Sequence, residues 1–130
     1  NLSPSLYEVG SLVGKTGEFL PNYLHRLTSD YINVERFDSI SAIMTGEATA
    51  DYHIRFIFEY DLDKKVVTYV TKYVNTGFAI KLESNTKFIR VVVGRNDNAN
   101  LSDDDVLKIK NNIEETPQCC KKNYYSTTYS

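Results

Sequence analysis

The sequence predicts an α+β domain: an antiparallel β-meander of about five strands with an N-terminal and a C-terminal helix packed on one face. Three patterns lead there. Residues 52–60 alternate Tyr52, Ile54, Phe56, Phe58 and Tyr60 with His53, Arg55 and Glu59, the period-two signature of a half-buried strand. Leu20, Tyr23, Leu24, Leu27 and Tyr31 recur at helical spacing. Ser102 followed by Asp105 has the form of a capping box and opens a second apolar stripe of Val106, Ile109 and Ile113.

In chain order, Pro4, Gly10, Gly14, Gly17 and Pro21 punctuate the first segment and leave room for at most a short strand within 6–13. The first helix begins near Leu20, with Pro21 in a turn where no N–H is needed, and ends near Ile32. Residues 39–45 lean toward strand. Beyond the clear strand at 52–60 and a turn at 61–64, the segment 65–74 is rich in Val, Thr and Tyr. Asn75-Thr76-Gly77 then supplies a turn, 78–83 a strand, Ser84-Asn85-Thr86 another turn and 88–93 the last strand. Such short connections favour hairpins over crossovers. In the second helix Asp103 and Asp104 complement the positive end, Leu101 is placed to pack on Val106, and Pro117 closes the segment. Residues 1–117 are expected to form one domain and 118–130 a flexible tail.

A chain of 130 residues can bury one core of ordinary size. Its 42% hydrophobic and 25% charged residues match globular proteins. Fifteen basic residues are outnumbered by 17 acidic ones, a poor balance for neutralising phosphates, so nucleic acid is not expected as a partner. No apolar run approaches the roughly 18 residues of a membrane span. The only methionine is Met44, so the sequence as given does not begin at a translation start. With the sequons Asn1-Leu2-Ser3 and Asn100-Leu101-Ser102, this gives the expectation of a glycoprotein, secreted or on the extracellular surface.

The candidates for chemistry each meet a simpler account. Gly10-Ser11-Leu12-Val13-Gly14-Lys15-Thr16 has three residues between its glycines where a phosphate-binding loop needs four. His25 falls on the polar side of the first predicted helix and His53 on the solvent side of the best strand. Glu59 and Asp61 share one strand face at a spacing of roughly 6 to 7 Å, near that of an acid/base pair, but both flank a turn. Asn96, Asn98 and Asn100 alternate like calcium ligands, yet the glycine and terminal glutamate of an EF-hand loop are missing. The adjacent Cys119 and Cys120 leave three readings open: inert thiols, disulfide partners outside the domain, or acylated cysteines beside Lys121 and Lys122. No catalytic, metal or cofactor site is expected.

The remaining lead is aromatic. With ten tyrosines and no tryptophan, the chain places Tyr69, Thr71 and Tyr73 on one strand face opposite Val66, Thr68 and Val70, and an exposed Tyr stripe suits recognition. β-propensity alone also fills strands with these residues. The first functional expectation is a non-enzymatic protein-binding module that presents loops or a sheet edge to a partner protein. The alternative is a cup-shaped carrier of a small apolar ligand, its cavity lined by Phe56, Phe58, Ile80 and Val91. An enzyme would need titratable groups to converge, and the sequence scatters them.

Leu12-Val13-Gly14, the predicted helix after it and the hairpin region around Gly46 loosely resemble the cystatins. The resemblance implies a sheet wrapped on a helix and a glycine-containing N-terminal segment that, with hairpin loops, plugs a cysteine-protease cleft. The sequence departs from the family where Ile43-Met44-Thr45-Gly46-Glu47 replaces its glutamine-valine-valine-alanine-glycine loop. It also lacks the proline-tryptophan hairpin.

Overall fold

A computed structural model describes residues 7–46, 48–74, 78–119 and 121. Its elements in chain order are β1 (Tyr7–Val9), β2 (Ser11–Leu12), β3 (Phe19–Leu20), β4 (Arg26–Ser29), β5 (Ile32–Asn33), β6 (Phe37–Met44), the single-turn α1 (Ala48–Asp51), β7 (Tyr52–Tyr60), β8 (Val66–Val74), β9 (Phe78–Lys81), β10 (Phe88–Arg95), α2 (Asp103–Asn111) and β11 (Ile113–Cys119).

The strands form a large sheet in the order β1-β4-β10-β7-β8, with β5 also paired to β10, a three-stranded sheet β11-β6-β9, and the small β2-β3 pair. All pairings are antiparallel. Leu27, Ile54, Ile57, Ile89, Val91 and Val93 of the large sheet meet Ile40, Ala42 and Met44 of β6 in the main core, so the two larger sheets pack as a β-sandwich. A second cluster, Leu12, Phe58, Tyr60 and Val92 with Phe19, Tyr31, Phe56, Val66 and Phe88 against it, lies on the opposite face of the large sheet beneath the β2-β3 hairpin.

This corrects the α+β expectation. The protein is mostly β, and α2 is its one helix longer than a single turn among the described residues. The stripe expected as an N-terminal helix ending near Ile32 is instead β3, a turn region, β4 and β5. Leu24 is 47% exposed while Leu27 is fully buried, so the supposed stripe has no common face. The β4 segment is extended because it has a partner on each side, β1 and β10. No helix intervenes between Val13 and the Gly46 region either, which removes the helix on which the cystatin likeness depended. The meander also fails. After β6, the chain passes from the small sheet to β7 and β8 in the large one, back to β9, across to β10 and back to β11.

The C-terminal helix forms as its cap predicts but ends early. Ser102 Oγ accepts from the Asp105 N–H, and the Asp105 carboxylate accepts in return from the Ser102 N–H at 2.8 Å. Asn112 then caps the helix, its side chain donating to the Lys108 carbonyl, and Ile113 starts β11 opposite Met44. Pro117 lies within β11, opposite Ile40, and does not end a helix. As the outer strand of its sheet, β11 tolerates a residue without an N–H.

One buried charge stands apart. Glu115 on β11 is fully buried, and its Oε1 accepts the Tyr7 hydroxyl at 3.1 Å. Its Oε2 has no hydrogen-bond partner among the described residues. Burial pushes the carboxyl from its ordinary 4.5 up to about 7, against the smaller pull of the Tyr7 hydrogen bond. The folded state therefore holds this proton more tightly than the unfolded state. Its stabilising effect is complete below about pH 4.5 and is lost as pH rises through 7. Glu115→Gln should accordingly change stability little at pH 4 and raise it at pH 8, by about 3 kcal/mol at most, measured by urea unfolding at the two pH values.

Candidate functional site

The outer face of the large sheet carries the densest array of aromatic and cationic side chains, and a bulge puts it there. Between Ile54 and Phe56 the β7 register shifts, so Tyr52, Ile54 and Ile57 face the main core while Phe56, Phe58 and Tyr60 point to the other side. On that side Tyr31 meets Tyr60 edge-on at 4.9 Å, Tyr60 stacks on Phe58, and Phe58 stacks on Tyr69 at 4.9 Å and 12°. Phe56 abuts both Phe58 and Tyr69 edge-on.

Cations bracket this row. Lys64 lies 4.7 Å and Arg90 also 4.7 Å from the Tyr31 ring centre. At the opposite end Arg26 lies 5.1 Å from Tyr23 and 5.5 Å from Phe56, and Arg55 lies 5.3 Å from Phe56. The β2-β3 hairpin covers the middle. Gly17 sits there at φ +67°, where a Cβ would come within 2.4 Å of a Val66 methyl.

The histidines lie at the Arg26 end. His25 opens toward β4 and stacks on Tyr23 at 6.0 Å. His53 is only 9% exposed and not on the solvent, a departure from the sequence expectation. Asn96 Nδ2 donates to the Ala50 carbonyl, which turns Oδ1 toward His53 Nδ1 at 2.7 Å, so Nδ1 carries a proton. Burial, first, and then the nearby Arg26 and Arg55 charges lower the pKa of both imidazoles; in His53 the Asn96 hydrogen bond opposes the fall.

Of the residues expected to form a binding stripe, Tyr69 is on this face and 36% exposed. The side chains of Thr71 and Tyr73 lie outside the described residues. Val66 is on the same face as Tyr69, because a second register shift separates the Glu59 and Tyr60 pairings. Glu59 and Asp61 do not act together. Glu59 is buried, accepting from the Glu83 N–H at 2.9 Å and the Thr86 hydroxyl at 2.6 Å, while Asp61 accepts the N–H groups of Asp63 and Lys65 in its turn. The asparagines are likewise spread over separate tasks: Asn96 holds His53, and Asn98 occupies a left-handed turn position at φ 58°. Among the described residues no three His, Cys, Asp or Glu side chains converge to hold a metal ion, and no helix is long and apolar enough to cross a membrane. Cys120 lies outside the described residues.

The four residues of the expected carrier cavity are divided between the two faces of the sandwich. Phe56 and Phe58 belong to the outer cluster, Ile80 and Val91 to the main core. An open depression of about 440 Å³ elsewhere is lined by Asp38, Lys81, Leu82, Glu83, Ser84 and Lys121, four of the six charged. Comparison of the chain with family models, with curated proteins and with solved structures gives no match.

Sequence patterning missed the proximity of Arg26 and Arg55 and the burial of His53, since these arise from strand order and one bulge. If the Tyr69 ring acts chiefly by stacking on Phe58, Tyr69→Phe should leave stability within about 0.5 kcal/mol. Tyr69→Ala should cost about 2 kcal/mol, less than for a fully buried ring. Thermal and denaturant unfolding of the two variants check this.

Proposed function

We propose that this chain is a non-enzymatic protein-binding module, secreted or exposed at a cell surface, that takes an extended segment of its partner as an added strand along β8. One observation carries the reading: β8 is nine residues long, stands at the edge of the large sheet, and pairs only with β7 among the described residues. Its sequence, Val-Val-Thr-Tyr-Val-Thr-Lys-Tyr-Val, has a single charge, Lys72, and no glycine or proline. Such an edge offers a row of backbone donors and acceptors to a second chain. Between its two register shifts, Thr68 to Thr71 pair regularly with Glu59 to Phe56, which gives a straight stretch to receive a strand.

The side chains agree with this use. Val66, Val67, Thr68 and Val70 are half-buried and Tyr69 is exposed, so apolar and aromatic contact is available on both sides of the edge. Leu62 in the preceding turn is 69% exposed. The exposed Lys64 and Lys65 in the turn before β8 give this end of the edge a positive cast and favour a partner strand flanked by carboxylates.

Selection from a random-peptide display library, followed by amide chemical-shift mapping of the chosen peptides, tests the proposal. Saturable shifts and exchange protection should concentrate in 66–74. Thr68→Lys, which places an inward-pointing charge on the edge, should weaken binding at least tenfold while preserving the dispersed spectrum. Peptides that map elsewhere would overturn strand addition, and so would concentration-dependent self-pairing through the same amides, which would make a second copy the occupant.

A further inference from the structure

We propose that the depression at one end of the small sheet binds a small zwitterion, a free amino acid or a short peptide, whose carboxylate meets Lys121 and whose ammonium meets Asp38. The site lies in a different sheet from β8 and does not depend on strand addition there. All three strands of the small sheet deliver residues to this end: Asp38 is the second residue of β6, Lys81 the last of β9, and Lys121 follows the end of β11. The volume of about 440 Å³ is within the range of small-molecule pockets. Leu82, 5% exposed, supplies apolar lining, and its N–H donates to the Asp38 carbonyl at 2.8 Å, which ties the residue after β9 to β6. Lys121 is anchored twice: its backbone N–H donates to the Arg36 carbonyl at 2.8 Å, and its Nζ donates to the Thr86 carbonyl. Thr86 and Glu83 are fixed in turn by the buried Glu59, which accepts the Thr86 hydroxyl and the Glu83 N–H.

The charges here are held in place without being paired. An ammonium group has three donors, and among the described residues the half-buried Lys121 uses one of them. The acids that act on it are engaged elsewhere or stand apart. Glu59 holds Glu83 and Thr86, and Glu35 forms an ion pair with Lys87 at 3.6 Å. The half-buried Asp38 carboxylate makes no hydrogen bond or ion pair among the described residues. Burial, first, and then the Lys87 charge lower the Lys121 pKa, and the pull of Glu35, Glu59 and Asp38 does not restore it. A ligand carboxylate supplies the missing counter-charge through charge-assisted hydrogen bonds. A carboxylate alone would be repelled by Asp38 and by the exposed Glu83, and an ammonium on the same ligand turns that repulsion into attraction. Asp38 and Glu83 balance Lys81 and Lys121, so the depression suits a ligand that carries both signs and no net charge.

The test is an NMR titration of the labelled full chain with L-leucine and with glycyl-L-leucine at neutral pH and constant ionic strength. The expected result is saturable movement of the Leu82, Glu83, Ser84 and Lys121 amides at millimolar ligand, and the tighter binder of the two shows whether the span from Lys121 to Asp38 suits an amino acid or a dipeptide. N-acetyl-leucine lacks the ammonium and leucinamide lacks the carboxylate, so each should bind at least tenfold more weakly than leucine; this series is read on the parent chain and needs no variant. Lys121→Gln keeps a donor for the Thr86 carbonyl and Asp38→Asn is isosteric, so both should preserve the amide spectrum elsewhere and weaken binding at least fivefold. Equal binding of N-acetyl-leucine and leucine would refute the proposal by reducing the site to a carboxylate pocket. Undiminished binding in both variants, or no saturable shift with either zwitterion, would refute it as well.

Discussion

The large sheet is covered on both faces, and every other feature of the molecule follows from that constraint. In β10 the six residues Ile89 to Gly94 are all buried, as they must be when one face meets β6 and the other meets the β2-β3 hairpin. The two clusters share strands β7 and β10, so the small hairpin is part of the packing and its Gly17 is held to a narrow conformational choice. Strand β8 is the edge of the large sheet on the side of β7. Its Val66, Val67, Thr68 and Val70 are half-buried where the central strand is fully buried.

Doubly covered strands must satisfy most of their polar groups internally, and several buried side chains here do so by tying distant segments together. Arg90, 7% exposed, donates through Nε to the Ser29 carbonyl at 2.8 Å while its guanidinium lies over Tyr31. Ser29 Oγ accepts the Val91 N–H. Asp105 joins three elements: it accepts from the Tyr52 hydroxyl, from Arg95 at 2.8 Å and from the helix cap. Burial alone would raise its pKa, but the Ser102 and Tyr52 hydrogen bonds and the Arg95 charge hold it below the ordinary value. These groups are engaged in holding the fold.

Parts of this were legible in the residues alone. The alternation at 52–60 marked β7 to the residue, and Ser102 with Asp105 marked the start of α2, because both signals are local. What misled was the assumption of one apolar face. Phe56 and Ile54 look like neighbours on a stripe, yet the bulge at Arg55 sends them to opposite sides of the sheet, and no local pattern announces a bulge. The spacing of Leu20, Tyr23, Leu24 and Leu27 was accidental. Extended structure in 26–29 comes from partners far along the chain, β1 on one side and β10 on the other. The site residues were hidden for the same reason, since Arg26, Gly94 and His53 adjoin only through the strand order.

That strand order also governs how the chain reaches its native state. Tyr7 hydrogen-bonds Glu115 across 108 positions, Arg90 reaches Ser29 across 61, and β6 finds its place only between β9 and the late β11. Few hairpins can form early and wait, so most of the entropy of closing loops must be spent before packing returns it. The protein belongs among the slow folders. On a ribosome it cannot complete its small sheet until β11 has emerged, and until then the apolar sides of β6, β7 and β10 are open to whatever binds unfinished chains.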